Sequence, residues 1–299
     1  MLKAISLFTG AGGMDVGFIE NGFDVILANE IEADAVQTYM ANHPSVRVIH
    51  NDINDCFDEF AKLENQIDLV FGGPPCQGFS IAGKMNPDDE RSKLVWSFLK
   101  VIEIVKPRVF VMENVKALAV LVKWDDIKRG FIVAARKLGY DCKYIVLNAA
   151  DYGIPQKRER AFFIGLKDGE IESKAIKVYF DSKKERQVTV REALAPFVEG
   201  ELDNPHTCTA KITYATMPVM RKSPYAGMIF NGMGRPINID GLANTLPASM
   251  GGNKTPIIDE EYLRDSSTTN WIKEYHYGLW SKKQCRNAVK RPKGCGGLQ

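Results

Sequence analysis

The sequence predicts an α/β protein, with a doubly wound, mostly parallel sheet followed by a smaller, loop-rich domain. In the first half, short apolar runs alternate with segments in which apolar residues recur at helical spacing. The runs are almost continuously apolar, which is typical of strands buried on both faces. After about residue 170 turn-forming residues dominate. Polar motifs directly follow the apolar runs, where ligands bind in sheets of this kind.

The elements can be predicted in order along the chain. Helices are expected over GMDVGFIENG, which Gly22 closes, through Val36 and Tyr39, and over LVWSFLKVIEIV at 94–105, which stops before Pro107. At least six predicted strands alternate with these helices along the chain. The predicted strands cover residues 4–8, 23–30, 46–53, 67–73, 108–115, 141–149 and 160–166.

The composition excludes several classes of protein. Of 299 residues, 45% are hydrophobic and 25% charged, and no apolar run approaches the roughly 20 residues that cross a membrane. Six cysteines contain no C-x-x-C pair, which argues against a zinc site and a disulfide framework. We expect a reduced, cytoplasmic protein without a metal. The net charge of +2 permits nucleic acid as a partner but does not require it.

A glycine-rich stretch, FTGAGGMDVG, follows the first strand and opens a helix. Glycines there let a ligand approach the backbone at the positive end of a helix. Asp15 replaces the third glycine of G-x-G-x-x-G counted from Gly10, and its carboxylate is expected to disfavour a pyrophosphate. Glu30 and Asp52 each end a later strand, where a carboxylate can bind ribose hydroxyls or an exocyclic amine. Either acid alone could equally be a surface residue at a strand end. Together with the glycine loop, the two acids indicate an S-adenosylmethionine site.

The stretch GGPPCQGFS places Cys76 on a stiff turn after the strand IDLVFGG. Proline fixes its own φ and restricts the preceding residue, so the thiol is held in one direction. A lone cysteine is usually a small buried hydrophobe, but glycines and prolines leave little core here. A nucleophilic thiol would need a positive neighbourhood, because it is mostly protonated at neutral pH.

Two later stretches carry further polar side chains. Glu113 and Asn114 follow an apolar run, and a carboxyl group at a buried strand end can donate a proton. In QKRERAFFIG, Gln156, Arg158 and Arg160 alternate on entering a strand, which predicts that they share one face. An ordinary turn and a solvated basic edge strand are the respective alternatives.

Taken together, SLFTGAGGMDVGF, GGPPCQGFS, ENV and QKRERAFFIG, in this order and at these intervals, resemble the DNA cytosine-5 methyltransferase family, bacterial restriction-modification type. The resemblance covers about residues 4–166. It implies the S-adenosylmethionine-dependent methyltransferase fold and a monomer in a bacterial or archaeal cytoplasm that acts on duplex DNA. A cognate restriction endonuclease belongs to such systems, with no physical contact implied.

The resemblance also implies a covalent mechanism. Cys76 would attack carbon 6 of a cytosine flipped out of the duplex, while Glu113 protonates ring nitrogen 3. Arg158 would hold the pyrimidine carbonyl and Asn114 would support the glutamate, with Arg160 and Gln156 completing the catalytic set. Carbon 5 would take the methyl group. The implied cofactor contacts are Phe8, Gly10, Gly12, Glu30, Ile31, Asp52, Ile53 and Pro75.

Four segments follow from this reading: a catalytic domain at 1–170, a linker and helix at 171–195, a target-recognition domain at 196–265, and an atypical C-terminal segment at 266–299. Residues 77–91 would form a mobile loop that closes over DNA. An ordinary loop-rich accessory domain is the alternative for 196–265. The implied DNA contacts are Gln77, Ser80, Lys84, Arg91, Arg221, Lys222, Arg235, Thr245, Asn253 and Lys254.

The C-terminal sequence departs from the family pattern, in which a T-V-R-E helix and a G-N-A-V-x-P stretch are expected last. RNAVKRP matches faintly, and QVTVREALAPF at 187–197 precedes the variable region. We therefore expect a truncated or frame-shifted product, or a chain completed by a second polypeptide. A catalytically impaired DNA-binding remnant and a tRNA cytosine-5 methyltransferase remain alternatives, whereas Asp15 disfavours an NAD-dependent oxidoreductase.

Overall fold

The computed structural model describes residues 1–75, 93–200, 213–231, 236–246 and 256–281. The strands are β1 Leu2–Leu7, β2 Phe23–Glu30, β3 Arg47–His50, β4 Leu69–Gly72, β5 Val109–Val115, β6 Tyr140–Asn148, β7 Gln156–Lys157, β8 Glu159–Lys167, β9 Thr213–Val219, β10 Met228–Asn231 and β11 Ala243–Asn244. The helices are α1 Gly13–Glu20, α2 Ala33–Asn42, α3 Phe57–Ala61, α4 Leu94–Val105, α5 Lys116–Val120, α6 Asp125–Lys137, α7 Ser173–Ser182, α8 Val190–Val198, α9 Glu260–Arg264 and α10 Trp271–Ser281.

A seven-stranded sheet forms the centre of the first half, in the order β3-β2-β1-β4-β5-β8-β6. Strands β1 to β5 pair in parallel, and β8 lies antiparallel to β5. The mostly parallel α/β fold predicted from the sequence is confirmed. The strand order reverses between β1 and β4, and in open α/β sheets ligands bind beyond the carboxyl ends of the strands at such a point.

Both faces of this sheet are covered by apolar packing. Side chains alternate across each strand, so Ile5 and Val70 join one core cluster whereas Ala4 and Phe71 join the other. All four are fully buried. The larger cluster includes the apolar face of α4, which explains why LVWSFLKVIEIV showed a clear helical period.

The chain divides into two compact units. The first comprises Met1–Leu147 and Glu159–Lys183, and the second comprises Asn148–Arg158 and Lys184–Gln299. Within the described ranges, no helix is long and apolar enough to cross a membrane.

The second unit contains regular structure that the sequence did not predict. Helix α10 buries Trp271, Ile272 and Tyr275 against Phe230 of β10, in the segment expected to be atypical. A smaller cluster joins Val190 of α8 to apolar residues at 239–263.

The segment 171–195, predicted as a linker and helix, contains α7, which the sequence did not predict, then a stretch without helix or strand at 183–189 and the start of α8. Helix α7 belongs to the first unit and buries none of its residues.

Candidate active site

The loop after β1 is shaped by glycines. Gly10 and Gly12 have φ of 57° and 86°, a region that L side chains rarely adopt. A Cβ at Gly12 would lie 2.3 Å from His43 Nε2, whereas a Cβ at Gly10 would meet nothing within 4 Å. Phe8 also has a positive φ, 53°, which marks strain of the kind that clusters at ligand sites. The loop is closely packed beneath Gly12 and open above Gly10.

Asp15 lies beneath this loop and not toward a ligand. Its side chain is fully buried and accepts hydrogen bonds from the hydroxyls of Ser6, Thr9 and Tyr39, at 3.0, 3.0 and 2.8 Å. Burial, followed by the charge of Asp15, raises the pKa of the Tyr39 phenol well above its usual value. Three hydroxyl donors thus hold the Asp15 carboxylate inside the protein, a position that the sequence did not predict; the expectation that it disfavours a pyrophosphate stays a prediction.

Glu30 connects the end of β2 to the glycine loop. One carboxylate oxygen accepts a hydrogen bond from Gly10 N at 2.7 Å, and the other accepts from Ile31 N and Glu32 N at 2.8 and 3.0 Å. Its side chain is largely buried, whereas Ile31 beside it is 57% exposed. Three backbone donors thus fix the position of this carboxylate at the open side of the loop.

Asp52 lies just beyond the end of β3 and begins a short 3-10 helix over Ile53–Asp55. Its Oδ1 accepts from Asn54 N and Asn54 Nδ2, at 2.8 and 2.9 Å. Ile53, next in the chain, is buried in the larger core cluster. The carboxylate is half-buried and fixed through one oxygen.

The carboxyl end of β5 carries Glu113 and Asn114. Arg160, near the start of the antiparallel β8, places Nε 2.8 Å from Glu113 Oε1, and both side chains are only 19% exposed. A Cβ on Gly73 would lie 3.3 Å from Glu113 Oε2, so this glycine allows the close approach of the carboxylate. The structure thus brings Glu113 and Arg160 together beside the turn after β4.

Asn114 is bonded to that turn. Its buried Nδ2 donates to Pro74 O at 3.2 Å, and its Oδ1 accepts from Val115 N at 2.9 Å. The sequence suggested a contact with Glu113 and gave no indication of the bond to Pro74. This bond fixes the backbone at Pro74, two residues before Cys76 in the sequence.

Gln156, Arg158 and Arg160, predicted to share one face of a strand, do not lie on one continuous strand. Gln156–Lys157 form β7, which pairs with β11 in the second unit, whereas Arg160 lies in β8 of the first unit. Asn148 Oδ1 accepts from Arg158 N, and Arg158 O accepts from Ala149 N. These bonds close the segment 148–158 on itself and interrupt the strand at Arg158.

Two residues of the second unit that were predicted to contact DNA form hydrogen bonds within the protein. Thr245 donates its hydroxyl to Lys157 O at 2.8 Å, and Arg221 O lies 2.7 Å from His276 Nε2. The side chains of Arg221 and Lys222 are exposed. Several other predicted residues lie outside the described residues, namely Cys76, Gln77, Ser80, Lys84, Arg91, Arg235, Asn253 and Lys254.

The arrangement combines an open glycine loop flanked by two carboxylates with a carboxylate–guanidinium pair at the same edge of the sheet. In the described ranges, no group of three or more His, Cys, Asp or Glu side chains could hold a metal ion. The carboxylates of Glu30 and Asp52 can accept hydrogen bonds from the hydroxyls and the amine of a nucleoside, and the Glu113 carboxyl can exchange a proton.

Comparisons with known proteins point to one family. The family model of C-5 cytosine-specific DNA methylases matches residues 2–286. The Type II methyltransferase M.AquIA of Picosynechococcus sp. is 42% identical over 184 residues, which cover 56% of this chain and 73% of that protein. M1.HphI of Haemophilus parahaemolyticus is 42% identical over 174 residues, which cover 56% and 46%. M.MthTI of Methanothermobacter thermautotrophicus is 33% identical over 209 residues, which cover 69% and 58%. The match thus spans about half the length of the last two relatives.

Solved structures share the fold. A crystal structure described as a DNA modification methyltransferase encoded within an E. coli prophage superposes with a TM-score of 0.60, at 24% identity and with 82% of each chain covered. The S. pombe Dnmt2 methyltransferase gives a TM-score of 0.58 at 17% identity, with 89% of this chain and 80% of that chain covered. At these identities the likeness establishes the methyltransferase fold alone.

Proposed function

Since the chain belongs to the C-5 cytosine-specific DNA methylase family, as its four motifs predicted, we propose that it methylates carbon 5 of cytosine in a specific duplex DNA sequence. S-adenosylmethionine, when bound, supplies the methyl group. The similarity to Type II methyltransferases supports a role in a restriction-modification system. The further assignments below rest on the motifs and on the geometry of the described residues.

In the proposed reaction, the Cys76 thiolate attacks carbon 6 of a cytosine turned out of the duplex. Glu113 gives a proton to ring nitrogen 3, which makes carbon 5 nucleophilic. Carbon 5 then takes the methyl group, whose bond to the sulfonium sulfur would break and leave S-adenosylhomocysteine. A base then removes the proton of carbon 5, the Cys76 sulfur leaves carbon 6 as a thiolate, and the nitrogen 3 proton returns to Glu113. The ring is thereby restored with one methyl group in place of one hydrogen.

The observation that carries this proposal is the group of Glu113, Arg160 and Asn114 beside the Pro74 turn. The Arg160 guanidinium fixes the Glu113 carboxyl over Gly73, and Asn114 fixes Pro74, two residues before Cys76. A proton donor and a nucleophile that follow adjacent parallel strands meet the requirement that both reach one pyrimidine ring. Arg158 is proposed to hold the pyrimidine carbonyl, and Gln156 to complete the set.

The residues at the glycine loop fit the proposed cofactor. Open space above Gly10 leaves room for a ligand against the backbone, Glu30 is fixed by three backbone donors, and Asp52 is fixed through one oxygen. Glu30 would accept from the ribose hydroxyls and Asp52 from the exocyclic amine of adenine. Phe8, Gly12, Ile31, Ile53 and Pro75 complete the proposed contacts.

The second unit is proposed to recognise the target sequence. The segment 196–265, which lies within this unit, carries the proposed DNA contacts Arg221, Lys222, Arg235, Thr245, Asn253 and Lys254, and the loop at 77–91 adds Gln77, Ser80, Lys84 and Arg91. The enzyme would act as a monomer, and a cognate endonuclease would belong to the same system, with no physical contact implied. Exposed Arg221 and Lys222 support this assignment, because cations on a surface can contact phosphates.

The reaction can be trapped with duplex DNA that contains 5-fluorocytosine. With fluorine in place of hydrogen, carbon 5 has no proton for a base to remove, so Cys76 cannot be eliminated from carbon 6. A denaturation-resistant adduct should therefore accumulate when S-adenosylmethionine is present. Cys76→Ser should form no adduct. No adduct on any mixed-sequence DNA, in protein that still binds S-adenosylmethionine, would instead favour a catalytically impaired remnant, and an adduct confined to fluorinated tRNA would favour the tRNA enzyme.

A further inference from the structure

Asn29 lies between the two acids of the proposed cofactor site. It is the residue before Glu30 on β2 and is only 2% exposed. Its Nδ2 donates to Ile49 O at 3.2 Å and to Asn51 O at 3.0 Å, directly before Asp52. Both partners are carbonyl oxygens, so chemistry alone assigns the amide nitrogen to this side. A buried side chain on one strand thus holds the carboxyl end of the next.

The backbone ladder cannot provide this support. Pairing between β2 and β3 ends with Glu30 opposite His50, two residues before Asp52. The Asn29 side chain extends the connection beyond the ladder to Asn51. On its other side, Asn29 O accepts from Thr9 N at 3.2 Å, at the start of the glycine loop. One residue therefore contacts all three segments of the proposed site.

Cys56 adds a second support below Asp52. Its thiol donates to Asp52 O at 3.0 Å, and its sulfur lies 3.8 Å from Asn29 Nδ2. Cys56 is buried, and burial followed by the charges of Asp55 and Asp52 raises the pKa of this thiol. It therefore remains a neutral donor to the Asp52 backbone at neutral pH.

We propose that Asn29, assisted by Cys56, is a positioning residue that sets the spacing between Glu30 and Asp52 and so determines selection of an adenine nucleoside. The inference rests on the proposed role of Asp52 toward the exocyclic amine. A carboxylate accepts a hydrogen bond from the amine of adenine but meets only a carbonyl at that position in hypoxanthine. Selection between the two bases therefore depends on how well Asp52 is held.

The test compares the dissociation constants of S-adenosylhomocysteine and S-inosylhomocysteine, measured by titration calorimetry. The wild-type protein should prefer the adenosyl compound by about tenfold or more, since one lost hydrogen bond with a carboxylate corresponds to about that factor. Asn29→Ala should lower the preference to about twofold, because Asp52 is no longer fixed relative to Glu30. Asn21→Ala is the matched control: Asn21 Nδ2 also donates to a backbone carbonyl, Gly17 O, but at the exposed end of α1. It should keep the full preference.

Two results would overturn the inference. One is weaker binding of both compounds by Asn29→Ala with the preference unchanged, which is what a purely structural role predicts; the other is unchanged binding. If Asn29→Ala does not fold, Cys56→Ala should reduce the preference about twofold to threefold, and an unchanged preference in that variant counts against the inference equally. A wild-type protein without any preference would overturn the adenine role of Asp52 itself, and the inference with it.

Discussion

The first and second units achieve their stability by different means. In the first unit, fully buried aromatic residues such as Phe98, Phe110 and Phe131 pack in one continuous cluster over a seven-stranded sheet. In the described part of the second unit, the apolar residues fall into two smaller clusters, one around Trp271 and one around Val190, and polar side chains also connect the pieces. A continuous apolar core leaves a periodic pattern in the sequence, whereas a polar network does not.

Arg191 is the centre of that polar network. Its guanidinium pairs with Asp240 at 2.8 Å, donates to Tyr262 O and Leu263 O, and lies 4.9 Å from the centre of the Tyr262 ring. Tyr262 in turn donates its hydroxyl to Asp240 at 2.7 Å. Three segments, α8, the turn at 238–241 and α9, are thus joined through one side chain.

The largest effect is expected in the apolar core of the first unit. Phe110 is fully buried against Phe98, Phe131 and Tyr140, with ring centres 5.3–6.1 Å apart. Phe110→Ala should lower the free energy of unfolding by about 3–5 kcal/mol, because it leaves a cavity in a close-packed interior. Urea denaturation measures this, with Val122→Ala, 83% exposed, as the control. A cost near that of the control would mean that the core is not continuous.

A smaller effect is expected from the polar network. Arg191→Ala should cost about 1–3 kcal/mol, because it removes the donor to two backbone carbonyls and the cation paired with Asp240. Hydrogen exchange should speed up in α9 and the turn at 238–241 and remain unchanged in the first unit. Arg186→Ala, which removes a pair whose arginine is 73% exposed, should change little. Equal acceleration in both variants would contradict a central role for Arg191.

The start of α8 provides a pH-dependent contrast. Thr189 and Glu192 form a capping box, and the hydrogen bond from Thr189 N, then those from Arg186 and Thr189 side chains, lower the pKa of Glu192 from 4.5 to about 2. A carboxyl group whose pKa is lower in the folded than in the unfolded state stabilises the fold above pH 4.5. This stabilisation is lost as the pH falls toward 2.

Thr189→Ala should cost about 1 kcal/mol at neutral pH, because it removes the hydroxyl that accepts from Glu192 N at the start of the helix. The difference in Tm between wild type and Glu192→Gln should shrink as pH falls from 4.5 to 2. A difference that stays constant over this range would show that the capping carboxylate does not act through its charge.

The smallest effect concerns thiol reactivity in the first unit. Cys56 and Cys142 are buried, and burial raises the pKa of Cys142 to about 12, so neither supplies thiolate near neutral pH. Both should remain unmodified by iodoacetamide at pH 8, as read by peptide mass spectrometry. Modification as fast as in the urea-unfolded chain would mean that the first unit opens freely.

The sequence predicted the first unit well for a physical reason. Strand β2 and helix α4 have the bounds expected from their letters, because apolar periodicity records burial directly. The burial of Asp15 was not predicted, because nothing local shows that Ser6, Thr9 and Tyr39 surround it in space. The break at Arg158 depends on Asn148, ten residues away, so it leaves no local signal. Helix α10 does leave one, because its buried residues Trp271, Tyr275 and Leu279 recur at helical spacing, and it could have been predicted from them.

The proposed function itself is tested most directly on DNA. The purified protein, incubated with S-adenosylmethionine carrying a labelled methyl group and mixed-sequence duplex DNA, should produce labelled 5-methyldeoxycytidine after digestion, identified by liquid chromatography and mass spectrometry. Cys76→Ser and Glu113→Gln should yield at most traces. Label in another base, in N4-methyldeoxycytidine, or in tRNA but not DNA would contradict the assignment.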